Sequence, residues 1–256
     1  MSHEEDGQRG PLLALESIEK WYGEVHALRG VSLEVNPSEI VGLIGDNGAG
    51  KSTLIKIISG VVPRSGGQIF WKGKKVTLGS VREAQRMGIE TVHQDRAVVG
   101  IMSVARNIFL GREPTLGAGP FRVLDRERMA RDAQKLLHDL QLHISSVHQD
   151  ARFCSGGEMQ GVAISRAMHF KASLVILDEP TTALAVTGVR TVLSFIRRLK
   201  EDHIACIFVT HNLHDVYAVA DRFLVMVRGS VAANLRRNDV TVDDLVRMQL
   251  AGKPES

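Results

Sequence analysis

The stretch GLIGDNGAGKST, Gly42 to Thr53, restricts what this chain can fold into more than any other. It ends an apolar run and then sets Gly45, Gly48 and Gly50 ahead of Lys51, Ser52 and Thr53, which fits the pattern G-x-x-x-x-G-K-[ST]. EIVGLIG before it is short and rich in Ile, Val and Leu, as a buried strand is, and KSTLIKIIS after it carries apolar residues at helical spacing. A glycine loop between strand and helix turns successive backbone N–H groups inward toward an anion, helped by the positive end of the helix. Only small residues permit that path. On this reading Gly45, Asp46, Asn47, Gly48, Ala49 and Gly50 wrap a chain of phosphates, Lys51 reaches the outer ones as a point charge, and Ser52 and Thr53 close the loop, the Ser52 hydroxyl holding Mg²⁺. The plainer alternative is a glycine turn that happens to precede a lysine, which the strand-loop-helix setting disfavours.

A second segment supplies carboxylates. LVILDEP runs an apolar strand straight into Asp178 and Glu179, at the kind of strand end where α/β sheets place ligands. Asp178 fits the acid that holds Mg²⁺ in phosphate-loop NTPases, and Glu179 fits a general base that polarises water. Read alone, the pair is also compatible with a solvated acidic turn closed by Pro180. CSGGEMQG, Cys154 to Gly161, is open to two readings of its own. Ser155 and Glu158 make a capping box with Gly156 and Gly157 as its entry turn, and the same capped helix start presents N–H groups to an anion.

Composition narrows the classes. The 256 residues carry 32 Lys and Arg against 29 Asp and Glu, a net charge of +3 that gives no case for nucleic acid. No run approaches the ~20 apolar residues of a membrane span, and MSHEEDGQRG has no apolar core behind it, so a soluble cytoplasmic chain is expected. The two cysteines, Cys154 and Cys206, match no metal or redox spacing.

Along the chain, LLALESIEKWY, VSLEVN and GQIFWKGKKV predict antiparallel strands near the phosphate loop. A block from about 95 to 170 changes character: LDRERMARDAQKLLHDLQL puts Met129, Ala133, Leu136, Leu137 and Leu140 on one helical face, with Asp125 placed to cap it. Then strand LVILD, helix GVRTVLSFIRRLK, strand IACIFV, helix LHDVYAVA and strand RFLVMV alternate, which predicts a parallel α/β sheet. TVDDLVRMQL reads as a last short helix capped by Thr241. One domain over residues 12–252 is expected, with the helical subdomain inserted at about 95–170 and flexible tails at 1–11 and 253–256.

Taken in order, the phosphate loop, Gln94, CSGGE, LVILDEP and the VTH ending at His211 resemble the ATP-binding-cassette family over nearly the whole chain. The resemblance implies a P-loop NTPase with a RecA-like parallel core, an antiparallel β subdomain and an inserted helical subdomain. It implies that Tyr22 stacks on adenine, that Gln94 senses Mg²⁺ and the γ-phosphate while linking to a membrane partner, and that His211 holds the γ-phosphate. Ser155, Gly156, Gly157 and Glu158 are then the signature facing ATP on a second copy. Three positions depart from the family pattern: Cys154 and Glu158 stand where Leu and Gln are usual, and Ala185 stands where Asp is common. The phosphate-facing Ser155, Gly156 and Gly157 are kept.

Within the family, EKWYGEVHALRGVSLEV, ARNIFLGREP and THNLHDVYAVADRFLVMVRG resemble the ATPase subunits of bacterial monosaccharide importers, in a single-cassette form like those of fructose or ribose-type uptake. Such a subunit hydrolyses ATP for separate membrane permeases supplied by an extracytoplasmic sugar-binding protein, and sits on the inner face of the membrane through the permease. Cassettes acting on DNA or ribosomes carry long coiled-coil insertions or paired cassettes, and no sustained heptads occur here. A GTPase would want [NT]-K-x-D, which is absent.

Overall fold

The computed structural model describes residues 10–93, 98–117 and 119–251. The tails expected at 1–11 and 253–256 lie outside them except for Gly10 and Pro11. In chain order the elements are β1 Leu13–Tyr22, β2 Val25–Val35, β3 Ile40–Ile44, α1 Lys51–Ile58, β4 Gly66–Trp71, β5 Lys74–Val76, α2 Val81–Arg86, β6 Ile89–Val92 and α3 Val104–Ile108. There follow β7 Thr115–Leu116, β8 Val123–Leu124, α4 Arg126–Asp139, α5 Gly156–His169, β9 Leu174–Asp178, α6 Val186–Glu201 and β10 Ala205–Val209. The last are α7 Leu213–Tyr217, β11 Arg222–Val227, β12 Ser230–Arg236 and α8 Val242–Ala251.

The centre is a six-stranded sheet in the order β12-β11-β3-β10-β9-β6. All its pairings are parallel except the antiparallel β11–β12 edge. Both faces are covered, so successive residues feed two cores. Ile40 and Ile44 of β3, Val175 and Leu177 of β9, and Cys206 and Phe208 of β10 join the core under helices α3 to α8. Their neighbours Val41, Leu43, Leu174, Ile176, Ala205 and Ile207 join the other core, with α1 and the strands β1, β2 and β4. Burial on both faces is why these strands read as unbroken apolar runs. The second sheet, β2-β1-β4-β5, is four-stranded and antiparallel, as the β-prone early segments predict.

The long middle helix falls where its periodicity places it. Met129, Ala133 and Leu137 are buried, and the Asp125 carboxylate accepts from the Arg128 N–H at 3.0 Å. The parallel strands and helices after residue 170 also stand where expected. Two details differ: the helical block holds the short hairpin β7–β8, and the chain after RFLVMV returns as β12. Strand β12, SVAANLR, alternates half-buried and exposed residues along the sheet edge and has none fully buried, so it lacks the long apolar run of the central strands.

Gly42 marks where α7 presses on the sheet. A Cβ there would meet Val216 Cγ2 at 2.4 Å and Phe223 Cδ1 at 3.1 Å. Gly42→Ala is therefore expected to destabilise the chain by about 1–3 kcal/mol, the usual range for overpacking a filled core. Denaturant unfolding checks this; an unchanged midpoint would show that α7 shifts without cost.

Candidate active site

Parallel strands deliver the candidate residues to one edge. Val92 pairs with Leu177, Asp178 with Val209, and Val209 with Leu43, so β6, β9, β10 and β3 end side by side. Past those ends lie His93, Glu179, His211 and the loop from Gly45. This is the carboxyl edge of a parallel sheet, where the helices that follow aim their positive ends.

The loop has the backbone its glycines anticipate. Gly45, Gly48 and Gly50 have φ of 153°, 81° and 102°. A Cβ at Gly45 would also lie 2.4 Å from the Met226 carbonyl oxygen, so that position admits nothing larger. Gly50 leads directly into α1. Two backbone bonds brace the loop from the β11–β12 turn: Gly229 N donates to Ala49 O at 3.0 Å, and Arg29 N donates to Gly229 O at 2.8 Å.

Lys51 is 8% exposed and its ammonium donates to the carbonyls of Gly45 at 2.6 Å and Asp46 at 3.1 Å. Burial pushes its pKa below the ordinary lysine value, while the carboxylates of Glu179, Asp46 and Asp178 oppose that shift. Lys51 is thus a cation inside a loop that otherwise presents dipoles.

Glu179 sits at φ 53°, a left-handed conformation that costs a non-glycine residue about 1 kcal/mol or more. Its N–H donates to Val209 O at 2.9 Å, which pins the bend to β10. The carboxylate is held twice: Thr182 Oγ1 donates to Oε2 at 3.1 Å, and His211 Nδ1 lies 2.9 Å from the same oxygen. His93 Nδ1 lies 4.0 Å from Asp178 Oδ2.

Gly45, Asp46, Asn47, Lys51, Ser52, Asp178, Glu179 and His211 line one hollow together. A second hollow continues along the loop from Asp46 to Thr53 and is walled by Val25, His26, Arg29 and Arg228. Tyr22 is not in its lining; it is 44% exposed at the end of β1, paired with Val25, and Lys20 Nζ stands 4.9 Å from its ring. His26, which does line it, stacks on Trp21 with ring centroids 3.8 Å apart. Gln94 lies outside the described residues.

Ser155 to Glu158 stand apart from both hollows. The capping box forms as the sequence predicts: Ser155 N donates to Glu158 Oε2 at 2.6 Å and Glu158 N to Ser155 Oγ at 3.3 Å. The glycines also have a packing reason, since a Cβ at Gly157 would come 2.7 Å from Gly188 Cα. Gly156 and Gly157 therefore let the start of α5 lie against the start of α6. The signal for Gly188 was a lone glycine in a helical pattern, which marks a close approach. Gln249, on α8, is the residue that sequence reasoning missed: it lines the first hollow and its amide donates to Asp46 Oδ1 at 2.9 Å. Nothing local to TVDDLVRMQL points to it.

The family model described as ABC transporter matches residues 28–182. The xylose/arabinose import ATP-binding protein XylG of Sulfolobus acidocaldarius is 40% identical over 93% of each chain. The ribose import ATP-binding protein RbsA of Caldanaerobacter subterraneus subsp. tengcongensis is 35% identical over 94% of this chain; the chain spans 48% of that protein's length. Among solved structures, the ADP conformation of an ATP-binding cassette of an ABC transporter superposes with a TM-score of 0.81 at 28% identity, over 93% of this chain and 95% of that one.

Proposed function

This chain belongs to the ABC transporter family, and from that premise we propose that it is the ATP-hydrolysing subunit of a monosaccharide importer. It works on separate membrane permease subunits, which receive sugar from an extracytoplasmic sugar-binding protein. Residues 12–252 act as one cassette, with a helical insertion at about 95–170. The observation that carries the reading is the shared hollow in which the phosphate loop, Lys51 and Ser52 face Asp178, Glu179 and His211. The sugar class rests on the import proteins named above, which take pentoses. No described helix is long and apolar enough to cross a membrane, so the proposed place is the inner membrane face, reached through the permease.

The chemistry follows from the lining. The loop's N–H groups and Lys51 hold the phosphates of ATP in place, and Lys51 offsets charge that builds toward the leaving oxygen. Glu179 takes a proton from the water that attacks the γ-phosphorus; the new P–O bond forms as the bond to the β-phosphate oxygen breaks, releasing ADP and phosphate. His211 keeps the Glu179 carboxylate oriented and reaches the transferred phosphate. Ser52 and Asp178 suit Mg²⁺, being a hydroxyl and a carboxylate on the wall of the same hollow. No cluster of three or more His, Cys, Asp or Glu among the described residues could hold a metal alone. Bound there, Mg²⁺ neutralises phosphate charge. The family resemblance further suggests Gln94 as the residue that senses Mg²⁺ and the γ-phosphate and Tyr22 as the one that stacks on adenine.

Purified with its permease, the chain is expected to hydrolyse ATP faster when sugar-loaded binding protein is added, with xylose, arabinose and ribose the first sugars to try. ATPase activity that ignores the loaded binding protein but responds to DNA or ribosomes would overturn the importer reading.

A further inference from the structure

The hollow described above has a wall from α8 that no nucleotide motif includes. Thr241 and Asp244 cap that helix reciprocally: Thr241 N donates to Asp244 Oδ2 at 2.9 Å and Asp244 N to Thr241 Oγ1 at 3.2 Å. Leu245 is fully buried and Met248 packs on the same core. The Tyr217 hydroxyl of α7 donates to Val240 O at 3.1 Å, just ahead of the cap. Residues 245, 248 and 249 share one helical face, so the anchored helix delivers Gln249 to the phosphate loop, where its amide donates to Asp46 Oδ1 at 2.9 Å.

Asp46 is a negative side chain on the rim of a cradle built for negative charge. Its backbone oxygen accepts from Lys51 at 3.1 Å, and its carboxylate is close enough to act on the Lys51 charge. Without the Gln249 amide the Asp46 carboxylate is less firmly directed away from the site. Toward Lys51 it competes with phosphate, and toward the nucleotide it repels phosphate.

We infer that Gln249 is a positioning residue of this site: by holding Asp46 it sets the mouth of the phosphate loop, and it makes α8 part of the nucleotide-binding apparatus. The inference rests on the reading that the hollow takes ATP. It gives the last helix a task beyond covering the core, since a displacement of α8 would change nucleotide affinity without touching any phosphate contact directly.

The test titrates Mg-ATP into the full-length chain by calorimetry, for the parent, Gln249→Ala, Gln249→Glu, Asp46→Asn and the double variant Gln249→Glu with Asp46→Asn, each checked by melting without nucleotide. Gln249→Ala is expected to bind about 3- to 10-fold more weakly, the range that loss of one ordinary hydrogen bond gives. Gln249→Glu sets two carboxylates against each other and is expected to bind at least as weakly. The double variant reverses donor and acceptor, because the amide installed at 46 donates to the carboxylate installed at 249. It should recover to within about twofold of Asp46→Asn alone, a non-additivity that only contacting residues show. A purely structural Gln249 would instead lower the melting temperature and give losses that multiply. Parent-like affinity in Gln249→Ala, or multiplied losses in the double variant, would overturn the inference while leaving ATP binding intact. A parent chain that does not bind Mg-ATP would remove the nucleotide reading itself, and this inference with it.

Discussion

Glu179→Gln is expected to slow ATP hydrolysis by about 10²- to 10⁴-fold, the usual contribution of a positioned general base, while ATP stays bound. The substitution keeps the side-chain shape and still offers an oxygen to Thr182 and His211, which hold Glu179 at 3.1 and 2.9 Å. It removes the carboxylate's negative charge and with it the capacity to accept a proton from water. Lys51→Ala makes the contrast, because that ammonium is the buried cation of the loop and its removal should weaken binding as well as turnover. Its bonds to Gly45 O and Asp46 O go with it, so the loop also loses a brace. Single-turnover phosphate release beside calorimetric ATP binding separates the two variants. A Glu179→Gln chain that hydrolyses at the parent rate would place the base elsewhere; one that loses ATP altogether would make Glu179 a binding residue.

How much of this was legible in the sequence depended on how local each signal was. The loop from Gly45 to Ser52 was readable because one short segment carries its whole geometry: left-handed glycines, a strand behind and a helix ahead. Asp178 was readable because a doubly buried strand shows as an unbroken apolar run, and its end marks the sheet edge. The capping box at Ser155 was readable for the same reason, since donor and acceptor are three residues apart. The Glu179 bend and the His211 contact come from neighbouring strands that lie far apart in sequence, so residue order alone supplied only their presence. Gln249 and Asp46 are separated by nearly the whole chain, and their hydrogen bond has no sequence trace. Strand β12 was hidden by its short apolar stretch at a half-exposed edge, and edge strand β6 by its polarity, since there the buried Glu90 meets Arg112 at 2.5 Å. An ion pair breaks the apolar pattern that a strand reading relies on.

The second large effect concerns assembly, and it follows from the separate elements that carry the two halves of the proposed site. The hollow at Lys51 and the helix start at Ser155 to Gly157 share no lining residue. An anion cradled by Lys51 therefore leaves the α5 N-terminus of its own chain without one. We propose that a second copy supplies it, two chains enclosing two ATP molecules head to tail, with each Ser155 toward the other chain's γ-phosphate. On that proposal hydrolysis would remove the bridging phosphate and open the pair, and the opening would act on a permease. Glu179→Gln with ATP should then accumulate as a dimer in solution, and the same chain with ADP should run as a monomer. Adding Ser155→Arg should abolish the dimer by filling the site and repelling the opposite Lys51. Ser155→Ala separates this effect from damage to the helix, since loss of the cap alone costs about 1 kcal/mol and leaves the approach to α5 open. That variant should still dimerise, though more weakly. Mass measured by light scattering for each chain in ATP and in ADP, alone and with the permease, checks this: an ATP-dependent dimer that survives Ser155→Arg unchanged would show that the α5 N-terminus does not face a partner's ATP.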